Sequence, residues 1–248
     1  MSQPAVAALT PLPFELVYDD GEPLETRWHW LQTHLLNAVI RSAMAEHGRT
    51  DFFSGGNMFV YYSVEQAREV AQEETEGGMK RAYRGPDVFW VGGVDPARDR
   101  QIWIAWEEGG RLPDLIVELL SPSTAKVVRI TKKELYAQVF RTAEYYMYDP
   151  DRHLLEGFRL AQGSYRPLRP DRERRLWSEQ LGCFLGSWQG EWEGMNATWI
   201  RLFRPDGSLV PTKAEAEHQR AEAERQRAEA AEAELSRLRA LLAQKPQS

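Results

Sequence analysis

The chain has 248 residues, 42% hydrophobic and 27% charged, with a formal net charge of −6: an ordinary globular mixture, long enough for one sizeable domain with an appendage or for two small ones. It holds no apolar run of about 18 residues, so no membrane span is expected, and its one cysteine, Cys183, excludes an intramolecular disulfide and a multi-cysteine metal site. The negative balance counts against a general nucleic-acid binder, whose surface is usually basic, and the lone thiol fits a reducing, cytoplasmic setting.

In chain order, MSQPAVAALTPLPFEL lacks the basic region and continuous apolar stretch of a signal peptide, and its prolines predict an extended segment over residues 1–17. A folded body is expected over 18–210. Trp28 to Ala45 carries Leu31, Leu35, Leu36, Val39 and Ile40 at helical spacing, which predicts an amphipathic helix. Met58–Tyr62 reads as a strand after the Gly55–Gly56 turn signal. Asp87–Val91 and Ile102–Trp106 read as two more, joined by the polar connection GGVDPARDRQ, which predicts a hairpin. Leu115–Leu120 (LIVELL) has the continuous apolar character of a central strand covered on both sides. Thr131–Phe140 reads as a helix, with Thr131 and Glu134 at capping-box spacing. Glu144–Tyr148 resumes a strand, stopped by Asp149–Pro150. His153–Leu160 and Ala197–Phe203 are shorter strand candidates, separated by Gly- and Trp-rich turns. The fold class is therefore α/β or α+β, a mixed central sheet flanked by helices. Trp188, Trp192 and Trp199 fit sheet packing better than nucleobase stacking.

At Pro211 the composition changes to Ala, Glu, Arg, Gln and Leu. QRAEAER (219–225) is followed by QRAEAAE (226–232), and Ala214, Ala221, Ala228, Leu235 and Leu242 recur every seven residues. A solvated single helix and a weak coiled coil both fit residues 211–243, leaving 244–248 as a disordered end.

The chemistry concentrates around Glu118. A carboxylate inside an apolar strand costs several kcal/mol if it ionises without compensation. An arginine, a shared proton or a metal ion can supply that compensation. Alternation puts Ile116, Glu118 and Leu120 on one face and Leu115, Val117 and Leu119 on the other. Asp87 opens the preceding candidate hairpin as Pro86–Asp87, and Pro113–Asp114 repeats the dipeptide, so either pair fits a plain turn. After the Glu118 strand, SPSTAKVVRITKK brings Lys126, Arg129, Lys132 and Lys133 with no acid before Glu134, a local basic patch or a solvated surface.

Pro86–Asp87, PDLIVELLSPST (113–124), the Lys132-x-x-x-Tyr136 helix and EYYMYDP (144–150), in this order, resemble the Uma family of restriction-endonuclease-like proteins, assigned to the PD-(D/E)XK nuclease superfamily. The likeness runs from about Tyr18 to Asp149. It implies a restriction-endonuclease-like fold in which Asp87 and Glu118 hold Mg²⁺ or Mn²⁺. It also implies a helix lysine, Lys132 with Lys133 as understudy, that orients water or stabilises charge on phosphorus. Glu25, as a further metal ligand, and His29 match a family Glu and His and would complete the shell. Two departures stand out. The superfamily's usual strand lysine falls at Leu120, and Val127–Val128 replace an acid that many members carry before the helix lysine.

The leading expectation is thus a Mg²⁺-dependent endonuclease acting on DNA. A catalytically weak or inactive binding module on the same fold is the second, because fold alone does not establish function. The third is an oligomerisation protein, pairing copies through the nuclease body or the 212–243 helix. No Walker loop follows any of the Gly-Gly pairs, and no Gly-x-Ser-x-Gly elbow is present.

Overall fold

The computed structural model describes residues 12–17, 26–76, 85–121 and 128–243. Helix α1 (Arg27–Glu46) starts where Thr26, in extended conformation, caps the backbone N–H of His29 through Oγ1 at 3.2 Å. It stops at Gly48, whose φ of +66° closes a Schellman turn with Arg49 N–H donating to Met44 O at 2.9 Å. Between these caps its apolar stripe is fully buried, as the periodicity predicts.

The main sheet has six strands: β1 (Phe52–Gly55), β3 (Val88–Gly92), β5 (Leu115–Leu119), β6 (Glu144–Asp149), β7 (Leu154–Ala161) and β8 (Ser164–Pro167). They lie in the spatial order β1-β3-β5-β6-β7-β8. Only β5 and β6 pair in parallel; the other neighbours are antiparallel. A parallel pair needs a crossover, and this one carries three consecutive helical pieces, Val128–Lys132, Lys133–Leu135 and Tyr136–Phe140, together α3. The outer two have the wider π-type winding, which occurs often at functional sites. A small parallel pair, β2 (Val60–Tyr61) with β4 (Trp103–Ile104), lies beside this layer, with helix α2 (Val64–Glu76).

The structure departs from the sequence expectations in three places. The expected hairpin between the strands at 87–91 and 102–106 does not form. Instead β3 pairs with β1 and β5, while β4 pairs with β2. GGVDPARDRQ has turn composition, but turn composition does not say which strand the chain returns to. The capping box is absent too, because Val128 is already helical and Thr131 lies inside α3. Finally, β1, β8, α2 and a short strand at Leu176–Ser178 lie outside the expected elements; strands of three or four residues are too short for a periodic signal.

The two faces of β5 divide the core. Leu115, Val117 and Leu119 join α1 in one apolar cluster, and Ile116 and Leu120 join α3 and Trp103 in the other. A three-stranded antiparallel sheet, β9 (Leu176–Ser178), β10 (Cys183–Trp192) and β11 (Met195–Phe203), covers the other side of α1. Strand β10 runs through Gly186 and Gly190, where the composition predicts turns. Trp199 is fully buried there, stacked on Trp28, and Trp188 packs under the guanidinium of Arg201.

Helix α4 (Lys213–Ala243) is tied to this sheet at its first turn. Arg201, 1% exposed, makes a two-pronged pair with Glu215 at 3.0 and 2.8 Å. Burial alone would raise the Glu215 carboxyl, but the hydrogen bonds and charge of Arg201 hold it below its usual value. Glu215→Ala leaves a buried guanidinium without its anion, and we expect a loss on the order of 3 kcal/mol in urea unfolding. A loss below about 0.5 kcal/mol would show that the pair is no anchor.

Candidate active site

Neighbouring strands of the main sheet bring Asp87 and Glu118 together. Asp87 stands immediately before β3, and its Oδ2 accepts the backbone N–H of Leu119 at 2.6 Å, one residue past Glu118. Glu118, 1% exposed, points to the α3 face of β5. Asp114, in the repeated Pro-Asp, has a structural task at the opposite end of β5, where its Oδ2 accepts the Gly92 N–H at 2.8 Å.

Two residues of α3, four apart and therefore on one helix face, reach down to Glu118. Lys132 Nζ donates to Oε2 at 2.9 Å and Oε1 at 3.1 Å, and also to the Gly85 carbonyl at 3.1 Å. Tyr136, fully buried, donates its hydroxyl to Oε1 at 2.8 Å. Burial dominates the electrostatics and pushes the Glu118 carboxyl up to about 7. The Lys132 charge opposes it, the Asp87 charge adds to it, and the Lys132 and Tyr136 hydrogen bonds pull it back down. Burial and the adjacent Glu118 raise the Tyr136 hydroxyl well above its usual value, so it stays a proton donor.

The remaining cations of α3 are engaged elsewhere. Lys133 Nζ sits 3.2 Å from the centroid of the Phe158 ring, and burial lowers its pKa. Arg129 pairs with Glu156 and lies 3.9 Å from Asp149. The basic segment is thus not a free patch: its described cations stand over sheet carboxylates or an aromatic ring. Register explains the arrangement, since Glu118, Met147 and Glu156 are cross-strand neighbours on β5, β6 and β7. Lys126 and Glu25 lie outside the described residues.

His29, 8% exposed, is held through Nδ1 by Thr26 Oγ1 at 2.8 Å and meets Trp28 edge-on. Its Nε2 has no hydrogen-bond partner among the described residues. Among those same residues no three His, Cys, Asp or Glu side chains converge as a metal-ligand group, so His29 stands apart from the carboxylate pair. Tyr136 is the residue whose part in the site the sequence reading missed, although its i,i+4 spacing from Lys132 was the signal for it.

Residues 10–188 match the family model Uma2, described as "putative restriction endonuclease". The chain belongs to this family. No curated protein matches it. The mixed sheet, the α3 crossover over Glu118 and the family membership together make this a restriction-endonuclease-like fold. No helix among the described residues is long and apolar enough to cross a membrane.

Asp87 and Glu118 fit a hard divalent cation. Their donors are all oxygen, and the like charge that helps raise Glu118 is a repulsion that a cation between them would relieve.

Proposed function

We propose that this Uma-family protein is a metal-dependent endonuclease that hydrolyses phosphodiester bonds of DNA. One observation carries the reading: a carboxylate buried in an apolar strand faces both a second carboxylate and a lysine ammonium at 2.9 Å. A pair that served only packing would gain nothing from the second acid, which makes ionisation harder.

Asp87 and Glu118 would hold Mg²⁺ or Mn²⁺, which supplies charge neutralisation at a phosphate oxygen and a more acidic water. Lys132, 18% exposed at its side chain, can reach outward from Glu118 to a non-bridging phosphate oxygen and offset the charge that grows there. With its proton displaced, Glu118 would serve as a carboxylate ligand, and the proton of the attacking water would pass to solvent. The new O–P bond forms as the P–O bond to the leaving sugar oxygen breaks, and that oxygen is protonated from solvent. Tyr136 keeps the carboxylate oriented throughout.

Titration calorimetry with Mn²⁺ and plasmid nicking, both run on wild type and Asp87→Asn, test this. We expect saturable binding and metal-dependent nicking in the wild type, both lost in the variant. Binding without nicking would favour the binding module, and no binding at millimolar Mn²⁺ would sink the catalytic reading.

A further inference from the structure

Helix α4 leaves the body as a long arm. It runs for 31 residues, about 46 Å. Its first turn is fixed by the Arg201–Glu215 pair and by a capping box, in which Thr212 N–H donates to Glu215 Oε2 at 2.7 Å and Glu215 N–H donates to Thr212 Oγ1 at 3.2 Å. From Glu224 to Arg237 every residue is exposed. A helix in water is marginal unless it buries a face or carries ion pairs along its length. The middle of α4 has such pairs, since Arg225 meets Glu222 at 2.8 Å and Glu229 at 3.6 Å. Beyond it, Arg227, Glu232, Glu234 and Arg239 make no ion pair within the chain among the described residues.

Those four charges flank an apolar seam. Ala228, Ala231, Leu235, Leu238 and Leu242 follow one another at alternating steps of three and four residues, the spacing of a two-stranded coiled coil. Leu235 is 52% exposed, a leucine left in water in the middle of a polar helix. In a parallel, in-register pair, the residue just before each outer seam position faces the residue five further along the other helix. Arg227 then meets the partner's Glu232, and Glu234 meets the partner's Arg239, so the symmetric dimer joins opposite charges along both sides of the seam. An antiparallel pair that set Leu235 against the partner's Leu238 would leave Arg227 and Glu234 without an opposite charge.

We infer that α4 is a docking surface for a second copy of this chain, which joins it through residues 228–242 as a parallel two-stranded coiled coil. Both bodies then lie at the same end of the coil. The seam does not extend to the body, because Glu217 and Glu224 take the positions held further on by Ala231 and Leu238 and would set like charges face to face. A seam this short makes a dimer that forms and parts with concentration. The pairing stands whether or not the bodies cut DNA.

Sedimentation equilibrium of the full chain, from micromolar to near-millimolar concentration, tests it. The mass should rise from one chain to two. Leu235→Lys should raise the dissociation constant by on the order of a hundredfold or more, because each dimer loses two leucines from its seam, and should leave the unfolding of the body unchanged. Arg227→Glu with Arg239→Glu in one variant, and Glu232→Arg with Glu234→Arg in another, should each weaken pairing on the order of tenfold. An equimolar mixture of these two variants should pair at least as tightly as the wild type, a rescue that misfolding of either would not allow. Orientation is read from Ala228→Cys in oxidised glutathione, which should give a covalent dimer because a parallel coil sets the two positions side by side. The wild type, whose Cys183 is 1% exposed, should not cross-link. A wild type that stays monomeric throughout overturns the inference and leaves the arm to a different protein. A dimer that Leu235→Lys does not weaken places the contact in the body and overturns it equally. A dimer without the Ala228→Cys cross-link overturns the parallel arrangement.

Discussion

Above pH 7, Glu118→Gln is expected to unfold at a higher temperature than the wild type, while near pH 4 the two should unfold together. The folded pKa of Glu118 is about 7 against an ordinary 4.5. Between those values the folded protein holds a proton that the unfolded chain has released, so stability falls as pH rises through the window. At pH 8 the cost of ionising Glu118 in place is on the order of 3 kcal/mol. Glutamine keeps the shape and an acceptor for Lys132 but carries no charge, and the gain should appear as roughly 6–10 °C in melting temperature. Saturating Mn²⁺ should reverse the order, because only the wild type can recover stability by binding the ion. The Mn²⁺ effect on the wild type should itself grow as pH rises through about 7, since a bound ion must displace the Glu118 proton. Scanning calorimetry from pH 4 to 9 decides the matter. A difference that did not change with pH would mean that packing, and not the buried charge, sets it.

Lys132→Met should lower plasmid nicking by on the order of a hundredfold or more, whereas Lys133→Met should stay within about threefold of the wild type. The two lysines are adjacent in sequence, but only Lys132 meets the carboxylate; Lys133 lies on the Phe158 ring. Losing Lys132 also removes the charge that most opposes the rise of the Glu118 pKa. Whatever activity survives in Lys132→Met should therefore have its pH profile moved to the alkaline side. Equal losses from the two substitutions, or a profile that does not move, would remove Lys132 from the role proposed for it.

Much of the site could be read from residue order because it depends on two short-range periods. Alternation along LIVELL puts Val117 and Leu119 on the opposite face from Glu118, and those two do pack with α1 while Glu118 meets α3. The i,i+4 spacing of Lys132 and Tyr136 puts both on one helix face, although the motif assigns a role to the lysine alone. What could not be read depends on contacts between distant segments. The partner of β4 is β2, more than 40 residues upstream, and nothing local in GGVDPARDRQ encodes that choice. The expected start of α3 is misplaced because Thr131–Glu134 matches a cap by composition, while Val128 is already helical. The cation run around Lys132 reads as a patch because the Arg129 partners Glu156 and Asp149, and the Phe158 ring under Lys133, come later in the chain. Trp192 reads as sheet packing, and its ring does pack on the core.

The lysine's place on a helix instead of a strand has a consequence for the site's mutability. Leu120, where the superfamily resemblance would place a strand lysine, is 2% exposed and belongs to the apolar cluster under α3. A strand lysine at that point would tie the folding of the sheet to its chemistry, so that mutating one would injure the other. Here the cation sits on a partly exposed helical position, and its exchange would leave the sheet's packing intact. On the reading proposed above, the cation could be exchanged without repacking the interior of the sheet, so chemistry and scaffold would be separable by mutation.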